Sequence, residues 1–495
     1  MVSFSYREKG VSLCVLNLVY FIRHIFCANY LSDKRVMEKS EFVFPDNERM
    51  ICVRGKEKTN YMMSVLNIVK KQPPGRLITI GFALVILLGA FVLMLPFSVR
   101  DGAEVSFVDA LFTSTSAVCV TGLIAIDTAD HFTPFGQGVV AALIQIGGLG
   151  VTSVGVGLIL AAGKRVGIKG RLLVQEALNI DSAKGIVRLV KSVLFMTLFF
   201  EGIGAVLSFL VFRQDYPFWH ALGISIFHSI AAFNNSGFDV LGGLQNLIPY
   251  QENILLNLTT CGLIIFGGLG FFVILDVLKC RRFQKLSLHS KVVITTSVVL
   301  LVIGTVLLKA TEEISWLGAF FHSVSARTAG FSTYPIGGFT DAGLFVLCVL
   351  MFIGASPGST GGGIKTSTFF TLVQTARSAF SKKHIGAFKR SISKESVSKA
   401  YMITTLSLAV VCIGTFLMCI LEPEYSFMQL LFEVVSAFGT VGLSTGITPE
   451  LGTAGKMVII VIMFIGRLGA FTLLSMWITR PEQNIRYTEE AVTIG

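Results

Sequence analysis

Residues 112–123 read Phe-Thr-Ser-Thr-Ser-Ala-Val-Cys-Val-Thr-Gly-Leu, a run of small and apolar residues that ends at a glycine. Three further segments also place a Gly about ten residues after a Phe: Phe227 to Phe238, Phe320 to Phe331 and Phe432 to Leu443. Backbone of this kind is tolerated at membrane depth only where it lines a water-filled path or is buried in protein. Four such segments can close into a ring of carbonyl oxygens, which is how proteins hold a dehydrated cation.

The composition is that of a polytopic membrane protein. Of the 495 residues, 53% are hydrophobic and only 14% are charged, whereas roughly a quarter is usual in soluble domains. The net charge of +11 comes mainly from three basic loops, at 164–191, 279–291 and 377–399, and the loops between them are acidic or sparse. This is the positive-inside pattern, so we expect the basic loops and both termini in the cytoplasm and the protein in the plasma membrane. Because the basic residues lie in loops beside membrane spans, their positive charge does not indicate nucleic-acid binding.

The apolar stretches predict membrane-crossing helices, because each is near or above the ~20 residues that a crossing needs. Eight spans are predicted: 77–97, 137–162, 189–212, 253–278, 291–309, 342–372, 398–420 and 455–478. Four shorter stretches, which we predict to be half-helices, lie between successive pairs: 106–119, 217–234, 314–327 and 426–439. Each half-helix runs into one of the Gly segments, so the predicted unit is span, half-helix, Gly loop, span.

Fourfold repetition of this unit predicts an all-α polytopic membrane protein, with four tandem helix–pore-loop–helix repeats around a pseudo-fourfold pore. The expected repeats cover 76–165, 187–280, 290–375 and 396–480. Residues 1–75 are mixed in polarity and are expected to form a cytoplasmic or interfacial extension. Residues 481–495 are expected to form a cytoplasmic tail.

The candidate cation ligands are backbone carbonyls of the four Gly loops, which we call ring loops 1 to 4. A half-helix pointing inwards directs the negative end of its dipole at the path, and four such ends favour a cation. The ring-loop residues are Val120, Thr121 and Gly122, then Asn235, Ser236 and Gly237, then Thr328, Ala329 and Gly330, and finally Thr440, Val441 and Gly442. The alternative is that these Gly only permit close helix packing. Close packing could explain a single Gly segment, but it does not explain why four Gly segments each follow a half-helix.

A second Gly-rich stretch interrupts the sixth span. We call residues 354–363 the intramembrane segment; their composition does not hold a helix. The residues proposed to act there are Gly354, Ser356, Pro357, Gly358, Ser359, Thr360, Gly361, Gly362 and Gly363. The flanking apolar runs favour a position inside the protein, facing the path below the ring loops, over a simple kink or an external loop.

Arg467 lies in the middle of the last predicted span, where a charge is expensive and usually functional. It occupies the position of Gly148 and Gly268 in the sister repeats. We expect Arg467 to face the path, limiting cation flow or pairing with the intramembrane segment; the alternative is a side chain that snorkels to the interface. Arg327, beside ring loop 3, is predicted to pair with an acid such as Glu433.

The ring loops resemble the selectivity-filter loops of the Trk/Ktr/HKT potassium transporter superfamily. The matching segments are 117–123 (Ala-Val-Cys-Val-Thr-Gly-Leu), 233–238 (Phe-Asn-Asn-Ser-Gly-Phe), 326–331 (Ala-Arg-Thr-Ala-Gly-Phe) and 436–443 (Ser-Ala-Phe-Gly-Thr-Val-Gly-Leu). The resemblance extends over about residues 77–480, and the first loop is most similar to the KtrB branch of the TrkH/KtrB family.

The resemblance implies a K⁺-channel-like architecture and a K⁺-translocating subunit rather than an enzyme. It implies a homodimer in membrane lipid, gated by a cytosolic ring of nucleotide-binding regulatory subunits similar to KtrA or TrkA. The intramembrane segment and Arg467 would then form the gate. K⁺ is the implied transported ion, with Na⁺ as a co-ion or activator left open. Gly122 favours K⁺, because a Ser at this position accompanies Na⁺ preference in the plant relatives.

The residues also bear on two other function classes. One is an alternating-access secondary transporter of another cation or small solute, built on broken helices. That mechanism favours two related halves, whereas this sequence has a fourfold pattern. The other is an intramembrane enzyme, which needs acids, His or Cys paired within the spans, and the sequence shows no such set. It also has no Walker A motif, so ATP hydrolysis by the chain itself is not expected.

Overall fold

The computed structural model describes residues 74–161, 167–177, 185–381 and 385–469. Nearly all of the predicted extension 1–75 and the whole of the predicted tail 481–495 lie outside the described residues. The end of the last predicted span, after residue 469, also lies outside them.

The described residues form helices and one short hairpin. The helices before residue 286 are α1 (Pro74–Leu93), α2 (Phe107–Val118), α3 (Thr128–His131), α4 (Pro134–Leu149), α5 (Val151–Ala161), α6 (Ile168–Ala177), α7 (Ile186–Phe212), α8 (Phe218–Phe233), α9 (Ile254–Leu269) and α10 (Phe271–Cys280). Those that follow are α11 (Leu288–Thr311), α12 (Trp316–Ser325), α13 (Asp341–Phe352), α14 (Thr366–Ser381), α15 (Lys394–Leu421), α16 (Phe427–Gly439) and α17 (Thr453–Leu468). Strands β1 (Gly386–Ala387) and β2 (Arg390–Ser391) pair antiparallel between α14 and α15.

The long helices alternate with short ones in the predicted order, and the fold class is confirmed as that of a mainly helical, multi-pass membrane protein. Helices α1, α7, α11 and α15 are long and apolar enough to cross a membrane, and the number rises to six if each of two bent helix pairs counts as one span. The half-helices are α2, α8, α12 and α16. Three of them begin at a Ser N-cap, Ser106, Ser315 and Ser426, whose hydroxyl accepts an N–H of the first turn.

Three predicted spans are not continuous helices. The stretch 137–162 bends by 99° between α4 and α5, and the stretch 253–278 bends by 94° between α9 and α10. The breaks fall at Gly150 and Gly270, whose φ angles of 83° and 90° lie in the left-handed region that glycine adopts without steric cost. The stretch 342–372 is also interrupted, since α13 ends at Phe352 and α14 begins only at Thr366.

Each long helix forms a set with the half-helix and the apolar helix that follow it: α1, α2 and α4; α7, α8 and α9; α11, α12 and α13; and α15, α16 and α17. Within each set, the three helices pack together at one glycine of the long helix. A Cβ atom added there would lie closer than 3.0 Å to a neighbouring side chain. The contacts join Gly89 to Ser114 and Leu143, Gly204 to Ser229 and Leu263, Gly304 to Ser323 and Leu350, and Gly414 to Ile462. In the first three sets the serine hydroxyl also donates to a carbonyl of the long helix. Small residues therefore let all four sets of helices pack at the same place.

The sequence leaves open whether Phe320 or Phe321 is equivalent to Phe112 in the third set, and these contacts decide between them. Ser323 takes the place of Ser114 and Ser229, and it lies two residues after Phe321. Phe321, rather than Phe320, is therefore the equivalent of Phe112. The third half-helix is one residue closer to its ring loop than the others.

One ion pair joins the first set of helices to the fourth. Lys456 Nζ on α17 lies 2.9 Å from Asp109 Oδ1 on α2, and the side chains are 13% and 18% exposed. We expect Asp109→Asn and Lys456→Gln each to lower the melting temperature of the detergent-solubilised protein. Because the pair is largely shielded from solvent, a double-mutant cycle should give a coupling of about 1 kcal/mol. Additive effects of the two substitutions would show that the pair does not hold these helices together.

Candidate cation-binding site

The four ring loops meet and close on one another. A Cβ atom at Gly122 would overlap the carbonyl oxygen of Ser236, and the same holds around the ring for three further pairs: Gly237 with Ala329, Gly330 with Val441, and Gly442 with Thr121. Each glycine thus touches the middle residue of the next loop, and the fourth loop returns to the first. A side chain at any of the four positions would push neighbouring loops apart.

The backbone of each ring loop is left-handed at its first and third residues. The first residues have φ angles of 57° at Val120, 60° at Asn235, 79° at Thr328 and 49° at Thr440. The third residues are the glycines, with φ between 67° and 94°. Non-glycine residues rarely adopt this conformation, and strained backbone of this kind clusters at ligand-binding positions. The sequence signals this strain only at the glycines.

The N–H groups of the ring loops point back to the half-helices, whereas all but one of their carbonyls accept no hydrogen bond from the residues that the structure describes. The middle residues donate to carbonyls at the ends of the half-helices: Thr121 to Ser116 at 2.7 Å, Ser236 to Ala231 at 2.8 Å, Ala329 to Ser325 at 2.9 Å and Val441 to Ser436 at 2.9 Å. Among the described residues, only the Gly237 carbonyl of the twelve accepts a hydrogen bond, from Asn246 Nδ2 at 3.1 Å.

Eleven carbonyl oxygens are therefore without a donor in a part of the protein that is almost wholly buried. Buried backbone carbonyls are normally paired, because leaving them unpaired costs free energy. A ring of such oxygens offers the chemistry that replaces the water shell of a monovalent cation. The residues that sequence reasoning selected are thus brought together in one place, with their oxygens available.

Ring loop 2 is braced by a hydrogen bond from Asn234, a role that the sequence suggested for it, to Glu201 and Gln145, which sequence reasoning missed. Asn234 Nδ2, at the end of α8, lies 3.0 Å from Glu201 Oε1 on α7 and 2.9 Å from Gln145 Oε1 on α4. Glu201 is only 7% exposed and lies within a membrane-crossing helix. A carboxyl group at such a position is a sequence signal in itself, because ionisable residues within apolar spans are rare and face the protein interior.

The intramembrane segment is a closed loop packed beneath the ring loops. Its flanking residues Ile353 and Ile364 form a bridge that brings its ends together. A Cβ atom at Gly361 would overlap the hydroxyl of Thr328, and one at Gly362 would overlap that of Thr440. The segment therefore touches the first residues of ring loops 3 and 4. It is not an external loop, since its residues are buried or partly buried; that it faces an ion path stays a prediction.

Backbone hydrogen bonds attach the same segment to the bend between α9 and α10. Ser356 N–H donates to the Gly268 carbonyl at 3.1 Å, and Thr360 N–H donates to that of Gly267 at 3.3 Å. In the other direction, Phe271 N–H donates to the Gly358 carbonyl at 3.0 Å. The glycine break in the second set of helices thus exposes the backbone groups that receive the segment. Sequence reasoning gave no indication of this attachment.

Arg467 bridges three sets of helices through backbone carbonyls. From α17 its guanidinium donates to the Thr360 carbonyl of the intramembrane segment and to the Gly147 carbonyl at the end of α4. Gly148, in the sister position, contributes a further carbonyl at 3.4 Å. Five guanidinium N–H donors in a planar fork suit this simultaneous grip. The structure thus pairs Arg467 with the segment, as one of its predicted roles requires.

A second cation contacts the intramembrane segment. Lys365 Nζ lies 2.7 Å from the Gly361 carbonyl oxygen and 3.4 Å from that of Gly362. Lys365 was not among the residues predicted from the sequence. Its position directly after a Gly-rich interruption of an apolar stretch is the signal that was available.

The predicted pairing of Arg327 with Glu433 is wrong. Arg327 donates to the carbonyl and hydroxyl of Ser297 at 3.4 and 3.3 Å. Glu433 instead accepts hydrogen bonds from the segment that follows its own half-helix, including Ser444 Oγ at 2.6 Å and Thr448 Oγ1 at 2.7 Å. Local hydroxyl and amide donors satisfy the carboxylate, so it needs no partner from the third half-helix.

Comparison with known proteins identifies the family. A profile of the TrkH family, described as cation transport proteins, matches residues 78–312 and 281–486. The chain belongs to the TrkH family of cation transport proteins. The match includes all four ring loops and the intramembrane segment, and it confirms the resemblance read from the loops.

Curated members of the family are similar over most of their length. The Ktr system potassium uptake protein B of Bacillus subtilis is 40% identical over 444 residues, which cover 87% of this chain and 98% of that protein. The potassium/sodium uptake protein NtpJ of Enterococcus hirae is 39% identical over 444 residues, covering 86% and 98%. Among solved structures, the potassium transporter TrkH of Vibrio parahaemolyticus matches with a TM-score of 0.65 at 20% identity, covering 83% of this chain and 86% of that one. This likeness shows that the fold is the same.

Proposed function

We propose that the chain is the ion-translocating subunit of a Ktr/Trk-type K⁺ uptake system. The observation that carries the proposal is the closed ring of buried backbone carbonyls, eleven of which accept no hydrogen bond from the described residues. The names of the two similar bacterial proteins, both uptake proteins for potassium, support K⁺ as the ion. The name of NtpJ also includes sodium, so Na⁺ is proposed as a co-ion or activator.

K⁺ enters the ring without its water shell and is held by the ring-loop carbonyls. The oxygens replace water, and the inward ends of the four half-helices add the negative ends of their dipoles. N–H bonds from the middle residues to the half-helices hold the loops in this orientation, so the carbonyls do not reorganise when the ion binds. Inward movement is driven by the membrane potential, which contributes about 2.3 kcal/mol per charge per 100 mV.

The intramembrane segment and Arg467 form the gate below the ring. The segment lies against Thr328 and Thr440, and Arg467 holds it by the Thr360 carbonyl. A fixed positive charge at this point also opposes the passage of a cation. Opening requires the segment to leave its hydrogen bonds with Gly267 and Gly268, which the bend after α9 makes available as a discrete docking place.

Control of the gate is proposed to come from partner subunits. A Ktr system is named as a system of several proteins, and the membrane subunit is proposed to form a homodimer that docks on a cytosolic ring of nucleotide-binding subunits. The basic loops that the positive-inside pattern assigns to the cytoplasm are the docking surface. A ligand-dependent movement of the ring would shift the intramembrane segment.

Expression in a bacterium that lacks its own K⁺ uptake systems tests the proposal. We expect the cells to grow at low external K⁺. We also expect them to take up Rb⁺ in a saturable way that K⁺ inhibits, and uptake would be measured with and without external Na⁺. A Na⁺ requirement distinguishes co-transport or activation from simple K⁺ passage. Absence of K⁺-dependent uptake, with the protein present in the membrane and its regulatory partner supplied, would overturn the proposed function.

A further inference from the structure

Lys365 is the cation on the gate that the proposed function leaves without a role. Its ammonium group contacts two carbonyls, those of Gly361 and Gly362. These are the same two glycines that touch the hydroxyls of Thr328 and Thr440 at the first positions of ring loops 3 and 4. Lys365 therefore binds the part of the segment nearest to the ring.

The partners of the Lys365 ammonium group are backbone carbonyl oxygens. Lys365 forms no ion pair with any acidic residue that the structure describes, and its side chain is partly buried. Arg467 takes the adjacent Thr360 carbonyl, so fixed cations occupy three successive carbonyls of the segment. Two positive charges close together repel each other, and they are tolerated here because the carbonyl dipoles compensate them.

We propose that the Gly361 and Gly362 carbonyls form an inner binding site for a monovalent cation, and that the Lys365 ammonium occupies this site when the gate is closed. The inference rests on the proposed function and adds a second ion site to it. An ammonium group is a compact charge that binds backbone carbonyls as an alkali cation does. On opening, Lys365 leaves the two oxygens and a K⁺ coming from the ring takes its place. Lys365 thus acts as a tethered cation that competes with the transported ion.

Ion flux through the purified full chain in liposomes, without regulatory subunits, tests this competition. Lys365→Gln removes the charge and is expected to raise passive Rb⁺ flux at least about tenfold over wild type. Lys365→Arg, which keeps a charge, should restore low flux. Lys291→Gln is the matched control, because Lys291 also donates to a backbone carbonyl, that of Gln284 at 2.7 Å, but on an exposed surface. It should behave as wild type.

The wild-type chain gives a second test that is independent of the folding of variants. If K⁺ displaces the ammonium, labelling of Lys365 by an amine-reactive reagent should rise about twofold between K⁺-free and K⁺-rich buffer of equal ionic strength. Lys291 serves as the internal reference. Labelling that does not depend on K⁺ would overturn the proposed site.

The outcomes separate this proposal from the function on which it rests. If Lys365→Gln conducts like wild type while Arg467→Ala conducts more, the Lys365 site is wrong and K⁺ transport stands. If neither wild type nor any variant passes Rb⁺ or K⁺, the proposed function itself fails.

Discussion

Gly442→Ser is expected to reduce K⁺ uptake roughly 100-fold or more, measured as Rb⁺ uptake in the K⁺-uptake-deficient bacterium. Gly442 has a φ of 94°, a conformation that costs a residue with a side chain on the order of 1–3 kcal/mol. The new Cβ would also overlap the Thr121 carbonyl oxygen, which is one of the proposed ligands. Both effects displace oxygens that must stay in place for a dehydrated ion.

Gly446→Ser is the matched control for Gly442→Ser. Gly446 has a φ of 101°, so the backbone strain is similar, but no atom lies within 4 Å of an added Cβ. We expect this variant to keep most of its K⁺ uptake if it reaches the membrane. Normal uptake by Gly442→Ser, or an equal loss in both variants, would contradict a role for the ring carbonyls.

Arg467→Ala is expected to raise passive K⁺ flux roughly 30-fold in liposomes that contain the chain without regulatory subunits. The substitution removes charge-assisted hydrogen bonds to Thr360 and Gly147 and removes a positive charge below the ring. The intramembrane segment then keeps its hydrogen bonds to the bend after α9, its contacts with Thr328 and Thr440 and its contact with Lys365, but it loses its attachment to α17. The variant loses the hydrogen bonds that attach the segment to α17, and it loses the positive charge that repels cations. Both losses favour the open state.

Arg213→Ala is the control for Arg467→Ala. Arg213 also donates to a backbone carbonyl, that of Tyr216 at 3.2 Å, but it is exposed at the end of α7. Its flux should equal that of wild type. Wild-type flux in Arg467→Ala, with normal folding by size-exclusion chromatography, would show that Arg467 does not hold the gate.

The order of the helices was predictable because the composition of each stretch of sequence indicates whether it forms a long helix, a half-helix or a loop. The half-helices lie within two residues of the predicted ends, since each is an apolar stretch that starts after a Ser or, in α8, a Pro and ends at a Gly loop. The bends at Gly150 and Gly270 were not predicted. A glycine in an apolar stretch can either allow close helix packing or break the helix with a left-handed residue. The local sequence is the same in both cases, and the contacts with the rest of the fold decide which occurs.

Side-chain partners were much less predictable than backbone positions. The glycines that close the ring followed from spacing alone, because a fourfold repeat leaves few arrangements. The pairing of Arg327 with Glu433 was wrong because nearby Ser and Thr donors satisfy Glu433, and their reach depends on the turn after α16. Glu201 was missed because its contact with Asn234 joins distant parts of the chain. Lys365 was missed although its contacts are local, with carbonyls four and three residues before it, because nothing in the sequence shows how the Gly-rich segment folds back on itself. That the ring-loop carbonyls bind K⁺ stays a prediction.

The most direct test is to locate ions in the protein itself. The full chain, with its regulatory partner, would be crystallised in Rb⁺ in place of K⁺, and the anomalous scattering of Rb⁺ measured. We predict peaks on the axis of the ring, within coordinating distance of the Thr121, Ser236, Ala329 and Val441 carbonyl oxygens. Absence of Rb⁺ from the ring, with peaks confined to other parts of the protein, would contradict the account.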